Sequence, residues 1–140
     1  MSLLMPKRRK RRKSFKWLIW GTAYNWNYVA FWQFWLKATS NSFVSNREIE
    51  AARKVIIRYV RKVWKYWIRV FPDQPITKKP LEVKMGKGKW DLDYYAVKVK
   101  KWMILFEISG VDRTTAEEVF KQANYKLSCT TRLVEKWEIR

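Results

Sequence analysis

The chain has no histidine and a single cysteine, Cys129, in 140 residues. Without imidazole there is no histidine general base, no Ser-His or Cys-His pair and no histidine metal ligand. One thiol permits neither an internal disulfide nor a cysteine metal cluster, which fits a reducing compartment. Acidic residues are scarce: Asp and Glu total 12 against 31 Lys and Arg, a net charge of +19. None precedes Glu48. At that density self-repulsion disfavours a solitary globule, so the expected partner is a polyanion. Asp91 and Asp93 make a D-x-D, a spacing open to a magnesium ion, but the neighbouring lysines point to a solvated turn. Gly86 and Gly88 lack the GxxxxGK[ST] spacing, no helix start follows, and Lys89 leads into Trp90, so a nucleotide-binding P-loop is excluded. The expectation is a non-enzyme with no cofactor and no metal.

Lys7, Arg8, Arg9, Lys10, Arg11, Arg12 and Lys13 form an unbroken basic run. Such a run cannot pack on itself in water; alone it is expected to be disordered, ordering against phosphates. A nuclear address or a solvated tail has the same composition. An organelle transit peptide fits less well, since the charges come in blocks without amphipathic spacing and with little serine. Next, "WLIWGTAYNWNYVAFWQFWL", residues 17 to 36, carries no formal charge and has the length of a membrane-spanning helix. Asn25, Asn27 and Gln33 would place amides in hydrocarbon, Gly21 breaks the run, and Tyr28 to Leu36 suits a strand better. A loop, then a strand, then aromatics facing RNA is the preferred reading, with a membrane anchor as the alternative.

Ser45 with Glu48 is a capping box. From it Ile49, Ala52, Val55, Ile56, Tyr59, Val60 and Val63 fall on one helical stripe, opposite Arg47, Lys54, Arg58, Arg61, Lys62 and Lys65. "KYWIRVFP" predicts a strand stopped by Pro72 and Pro75, and residues 76 to 90 a loop in which Gly86 and Gly88 permit positive φ or close approach of another backbone. Residues 93 to 109 predict two strands meeting near Lys100 and Lys101. Asp112 is the expected N-cap of a second helix, with Ala116, Val119, Phe120, Ala123 and Leu127 on one face, and Thr130 to Lys136 a last strand. The sum is a single small α+β domain of roughly five strands and two helices, with a mixed or antiparallel sheet. Its expected organisation is a basic arm and aromatic loop over 1–27, the domain over 28–136 and a short tail over 137–140.

"LLMPKR" at 3 to 8, "NREIEAARK" at 46 to 54, "WIRVFPDQPITKKPLEVKMGKGK" at 67 to 89 and "LFEISGV" at 105 to 111 resemble the large-subunit ribosomal protein sixteen family (uL16) of bacterial and organellar type. The similarity runs in order from about Leu3 to Leu133. It implies a structural component of the large ribosomal subunit with an α/β-hammerhead-like domain and an N-terminal extension buried in rRNA. It further implies a position below the central protuberance, near the peptidyl transferase centre and beside the aminoacyl-tRNA path, with A-site and P-site tRNA, neighbouring ribosomal proteins and large-subunit rRNA as partners and no membrane insertion. Its tRNA-proximal loop matches Lys84, Met85, Gly86, Lys87, Gly88 and Lys89. The rRNA-binding tail matches Pro6, Lys7, Arg8 and the basic residues after them. With the basic positions read above, the expected rRNA-binding set is Lys7, Arg8, Arg9, Lys10, Arg11, Arg12, Lys13, Lys16, Lys54, Arg58, Arg61, Lys62, Lys65, Lys78 and Lys79. Some bacterial relatives carry a modified arginine where this chain has Lys84, and lysine lacks that planar fork.

At Trp17, Trp26, Trp32, Trp35, Trp64, Trp90 and Trp102 the family usually has glycine, and at Trp20 something smaller or basic. One codon base separates the two residues where UGA is read as tryptophan, so an organelle-encoded, mitochondrial gene that starts near the family's start is expected. The same drift in a bacterium or plastid, or translation with the wrong code, are the rival accounts. True tryptophans imply a changed backbone wherever φ above zero was needed. Besides the membrane anchor, a free nucleic-acid binder is the other functional alternative.

Overall fold

Ser45 and Glu48 close the first turn of a helix reciprocally. The Glu48 backbone N–H donates to Ser45 Oγ at 3.2 Å and the Ser45 N–H to Glu48 Oε2 at 2.9 Å, satisfying two donors that the helix leaves open. This helix is α1, Asn46–Tyr59. Ile49, Ala52 and Ile56 bury one stripe of it, while Arg47, Lys54 and Arg58 stay exposed, as the period requires. The computed structural model describes residues 4–9, 11–25, 27–28, 33–59 and 65–135.

Around α1 the described elements are β1 Phe34–Ala38, β2 Ser42–Ser45, β3 Lys65–Ile68, β4 Gln74–Thr77, β5 Leu92–Val99, β6 Ile104–Ser109, α2 Arg113–Asn124 and β7 Thr131–Glu135. They form two antiparallel sheets, one ordered β3-β6-β1-β7 and one ordered β2-β5-β4. The helices pack on each other, α1 also against β2 and β5 and α2 against β7. Ala116, Val119, Phe120 and Ala123 of α2 thereby join Ile49, Ala52 and Ile56, with Phe34, Leu36, Phe106 and Ile108 of the larger sheet, in one core. All six residues of β6, an inner strand between β3 and β1, are buried.

Across the larger sheet Glu107 stands opposite both Trp35 and Trp67. Its carboxylate is fully buried and accepts a hydrogen bond from Arg69 Nη1 at 2.6 Å. A charge so placed is tolerated because its partner is buried with it. Trp35 is itself only 1% exposed, so this ring is core rather than contact surface.

Several boundaries differ from the sequence expectation. The domain is α+β with two helices, but it has seven described strands rather than five. β2 was absent from the prediction, being four residues long with one outward alternation. β4 contains Pro75, which was expected to stop a strand; β4 lies at a sheet edge, where a missing N–H is tolerated. Lys65 begins β3 and so does not belong to the basic face of α1. Tyr59, expected inside, is 47% exposed, and Leu127 lies beyond the end of α2. Val60, Arg61, Lys62, Val63, Trp64, Lys10, Trp26 and Trp32 lie outside the described residues. No helix among the described residues is long and apolar enough to cross a membrane. Within 17–36, residues 34–36 belong to β1 and Thr22 forms a parallel bridge with Lys101.

Candidate nucleic-acid interface

Residues 80–93 are exposed without interruption, so the loop between β4 and β5 stands clear of the domain. Gly86, Lys87 and Gly88 have φ of 106°, 56° and 86°. Three consecutive residues in the left-handed region make a sharp reversal, and the two at its ends are glycines, which carry no Cβ penalty there. A Cβ built on either glycine meets nothing within 4 Å, so backbone conformation, not crowding inside the protein, calls for glycine. Lys79 ties the reversal from within: its ammonium donates to the carbonyls of Lys84 at 3.3 Å and Gly86 at 2.8 Å. Lys84, Met85, Lys87 and Lys89 thus project from an exposed, internally braced tip.

The arm runs past α1, β4 and the β1–β2 turn. Polar side chains of the domain capture its backbone. Asn46 Nδ2 donates to the Leu4 carbonyl at 3.3 Å, Gln74 Nε2 to the Phe15 carbonyl at 3.3 Å, and Asn41 Nδ2 to the Ile19 carbonyl at 3.2 Å. Gln74 also donates to the Ser14 hydroxyl. Ala23 N–H donates to the Lys101 carbonyl at 2.9 Å. Extended backbone carries unpaired groups, and these amides satisfy them.

Arm and loop meet. Lys13 Nζ donates to the Lys89 carbonyl at 2.9 Å and forms an ion pair with Asp91 at 3.3 Å. Lys89 Nζ returns over the Phe15 ring at 4.3 Å. The structure therefore brings Lys13 and Lys89 together, with Lys16 nearby in the chain and its own ammonium 5.0 Å from the Phe43 ring centre. Lys7, Arg8, Arg11 and Arg12 are exposed along the arm, and Arg9 is half-buried. Lys78 and Lys79 sit at the loop's root; Lys54 and Arg58 are exposed on α1, and Lys65 is exposed on β3. Gln74, Asn41 and Phe15 escaped the sequence reading as site residues, and Asp91, read there as part of a solvated turn, is the ion-pair partner of Lys13. Nothing in local pattern links Gln74 to Ser14, sixty positions apart.

The tryptophans divide by environment. Trp17 and Trp20 are 70% and 76% exposed. Trp102 lies in the turn joining β5 to β6, closed by Met103 N–H to the Lys100 carbonyl at 3.1 Å, with φ of 75°. That is the third position of a type II turn, where glycine is the ordinary occupant. The backbone here adopts the left-handed conformation under a tryptophan. Its ring lies between Lys37 and Lys101, whose ammonium groups are 5.8 and 5.7 Å from the ring centre.

Away from the surface, Glu50 and Arg53 pair twice, at 2.7 and 2.5 Å. The hydrogen bonds that Arg53 donates hold the Glu50 carboxyl below its ordinary range, and donating to Glu50 and Tyr66 holds the guanidinium above its own. Burial pushes the Cys129 thiol up to about 11, the mark of an inert rather than a nucleophilic cysteine. Among the described residues no group of three or more His, Cys, Asp or Glu is placed to hold a metal ion.

A small α+β domain whose projecting loop and clasped arm are both cationic and aromatic belongs to the class of basic proteins shaped for a polyanion. The sequence model of the family described as ribosomal protein L16p/L10e matches residues 6–134, and this chain belongs to that family. It is 48% identical over 134 residues to the large ribosomal subunit protein uL16 of Rhizobium etli (strain CIAT 652), covering 96% of this chain and 98% of that protein. The uL16 of Xanthomonas oryzae pv. oryzae (strain PXO99A) is 47% identical over 132 residues, covering 94% and 96%. The uL16 of Allorhizobium ampelinum is 48% identical over 134 residues, with 96% and 98% coverage. The family is structural and non-enzymatic, and this chain is not an enzyme.

Proposed function

We propose that this chain is a structural constituent of the large ribosomal subunit that binds large-subunit rRNA near the peptidyl transferase centre and central protuberance and helps position aminoacyl-tRNA. The observation that carries the reading is the Lys13 junction, which fastens a cationic arm to a cationic, glycine-hinged loop. Relatives of nearly equal length named as large ribosomal subunit proteins support the coarser part of it. In this reading Lys7 to Lys13 and Lys16 bind rRNA phosphates, with Lys54, Arg58, Arg61, Lys62, Lys65, Lys78 and Lys79 adding contacts around the domain. The arm over 1–27 lies against rRNA, and 28–136 is the body that holds it. Lys84 to Lys89 approach tRNA in the A and P sites, and neighbouring ribosomal proteins cover part of the rest. The compartment is the mitochondrial matrix in this proposal; the bacterial origin of the relatives favours a bacterial ribosome as the second reading.

Cosedimentation in sucrose gradients tests the assembly, with the expected result that the protein travels with the large subunit and leaves it only when rRNA does. A protein retained in membranes through alkaline extraction would overturn it. The double variant Lys87→Ala, Lys89→Ala is expected to enter subunits as the parent does while slowing tRNA accommodation. A variant that translates at the parent rate would refute the loop assignment, and one that merely weakens binding to every duplex alike would point to a free nucleic-acid binder.

A further inference from the structure

Where the arm passes the β1–β2 turn, residues 16–19 and Asn41, Ser42 and Phe43 enclose a cleft of about 350 Å³. This is within the size range of small-ligand pockets, roughly 300–1,000 Å³. Trp17, Leu18 and Phe43 supply its apolar lining. Lys16 stands at the rim. Asn41 fixes the enclosure at both ends of its amide. Nδ2 holds the Ile19 carbonyl at 3.2 Å and Oδ1 accepts the Lys101 N–H at 2.6 Å. The cleft is therefore preformed. Trp17 is 70% exposed and Leu18 79% exposed beside it, a costly display of apolar surface unless something covers it.

We propose that this cleft receives an unpaired base of the bound RNA, stacked on Trp17, with Lys16 at the adjoining phosphate. The inference rests on the RNA-binding reading above and adds to it a preference for single-stranded over duplex segments at this place. Charge selects this occupant. No acidic residue lines the cleft, none precedes Glu48 in the chain, and Lys16 is among the lining residues. A base presents an apolar face to the indole and brings its own anion to the lysine, whereas an apolar peptide would leave the ammonium without a counter-charge. Stacking of this kind tolerates any base identity, since every base has a π face.

Affinities of the full chain for a short oligouridylate and for a blunt RNA duplex of equal phosphate number, at one salt concentration, test this. Trp17→Ala is expected to weaken the single strand roughly 5- to 140-fold, the loss of one stacked base, and to leave the duplex unchanged. Trp17→Phe should restore most of it. Trp20→Ala, equally exposed but outside the cleft, should show no such selectivity. Equal loss on both RNAs, or the same selective loss from Trp20→Ala, would overturn the proposal. So would an indifferent Trp17→Ala, which would leave the cleft to a neighbouring protein while the RNA-binding reading stands. Failure of the parent chain to bind either RNA would remove that reading as well.

Discussion

Trp102 shows how a single side chain can oppose its own backbone. At φ of 75° its Cβ crowds the following peptide, a conformation costing an ordinary residue roughly 1–2 kcal/mol. The turn persists because neighbours determine it: Trp102 N–H donates to the Ala38 carbonyl at 2.7 Å and Ala38 N–H to that of Met103 at 2.9 Å. Trp102→Gly is therefore expected to stabilise the free protein by about 1 kcal/mol, read as a raised denaturant midpoint with unchanged slope; the ring's contacts with two lysines offset part of the gain. Cys129 gives a pH-dependent counterpart. Its folded-state thiol titrates near 11, above its unfolded value, so its contribution is fully present below about pH 8.5 and is lost as pH rises toward 11. Comparing the parent with Cys129→Ala from pH 7 to 11 should show the parent losing stability faster above pH 9. Native alkylation at pH 8 should run at least about tenfold slower than in denaturant.

At the scale of elements, α1 depends on its first turn. Ser45→Ala removes one half of the reciprocal cap and should cost about 1 kcal/mol, measurable by thermal or denaturant unfolding of the free protein. This helix was plain in the sequence because a cap, a 3.6-residue stripe and a charged opposite face agree over one short window. The successive strands β5 and β6, which belong to different sheets, and α2 were legible for the same reason, alternation and periodicity being local. β2 and β4 were not. Four residues hold too few alternations to register, and Pro75 signals interruption unless the sheet order is known to put it at an edge. The tip of the 80–93 loop was readable from its glycines and lysines. Its bracing by Lys79 was not, since lysine at that position looks like any solvated charge.

At the scale of the molecule, +19 on 140 residues sets the association behaviour. Binding to rRNA should weaken linearly in log–log terms with salt, by roughly 0.7–0.9 per phosphate contacted, and Lys7→Ala with Arg8→Ala should lower that slope by about one to two contacts. The polyanion was foreseeable from composition. The union of arm and loop was not, because it joins residues brought near only by the folded sheet. The exposed indoles at 17 and 20 and the buried one at 35 are likewise indistinguishable by type, and only their places in the fold, arm against inner strand, separate them.

The Lys13 contact spans 76 positions of chain. It makes the front of the polypeptide a tether for a distant hairpin bend, so any processing that trims the chain past this lysine would also slacken the bend. Length at one end and posture at the other are then inherited together, and selection on either is felt by both.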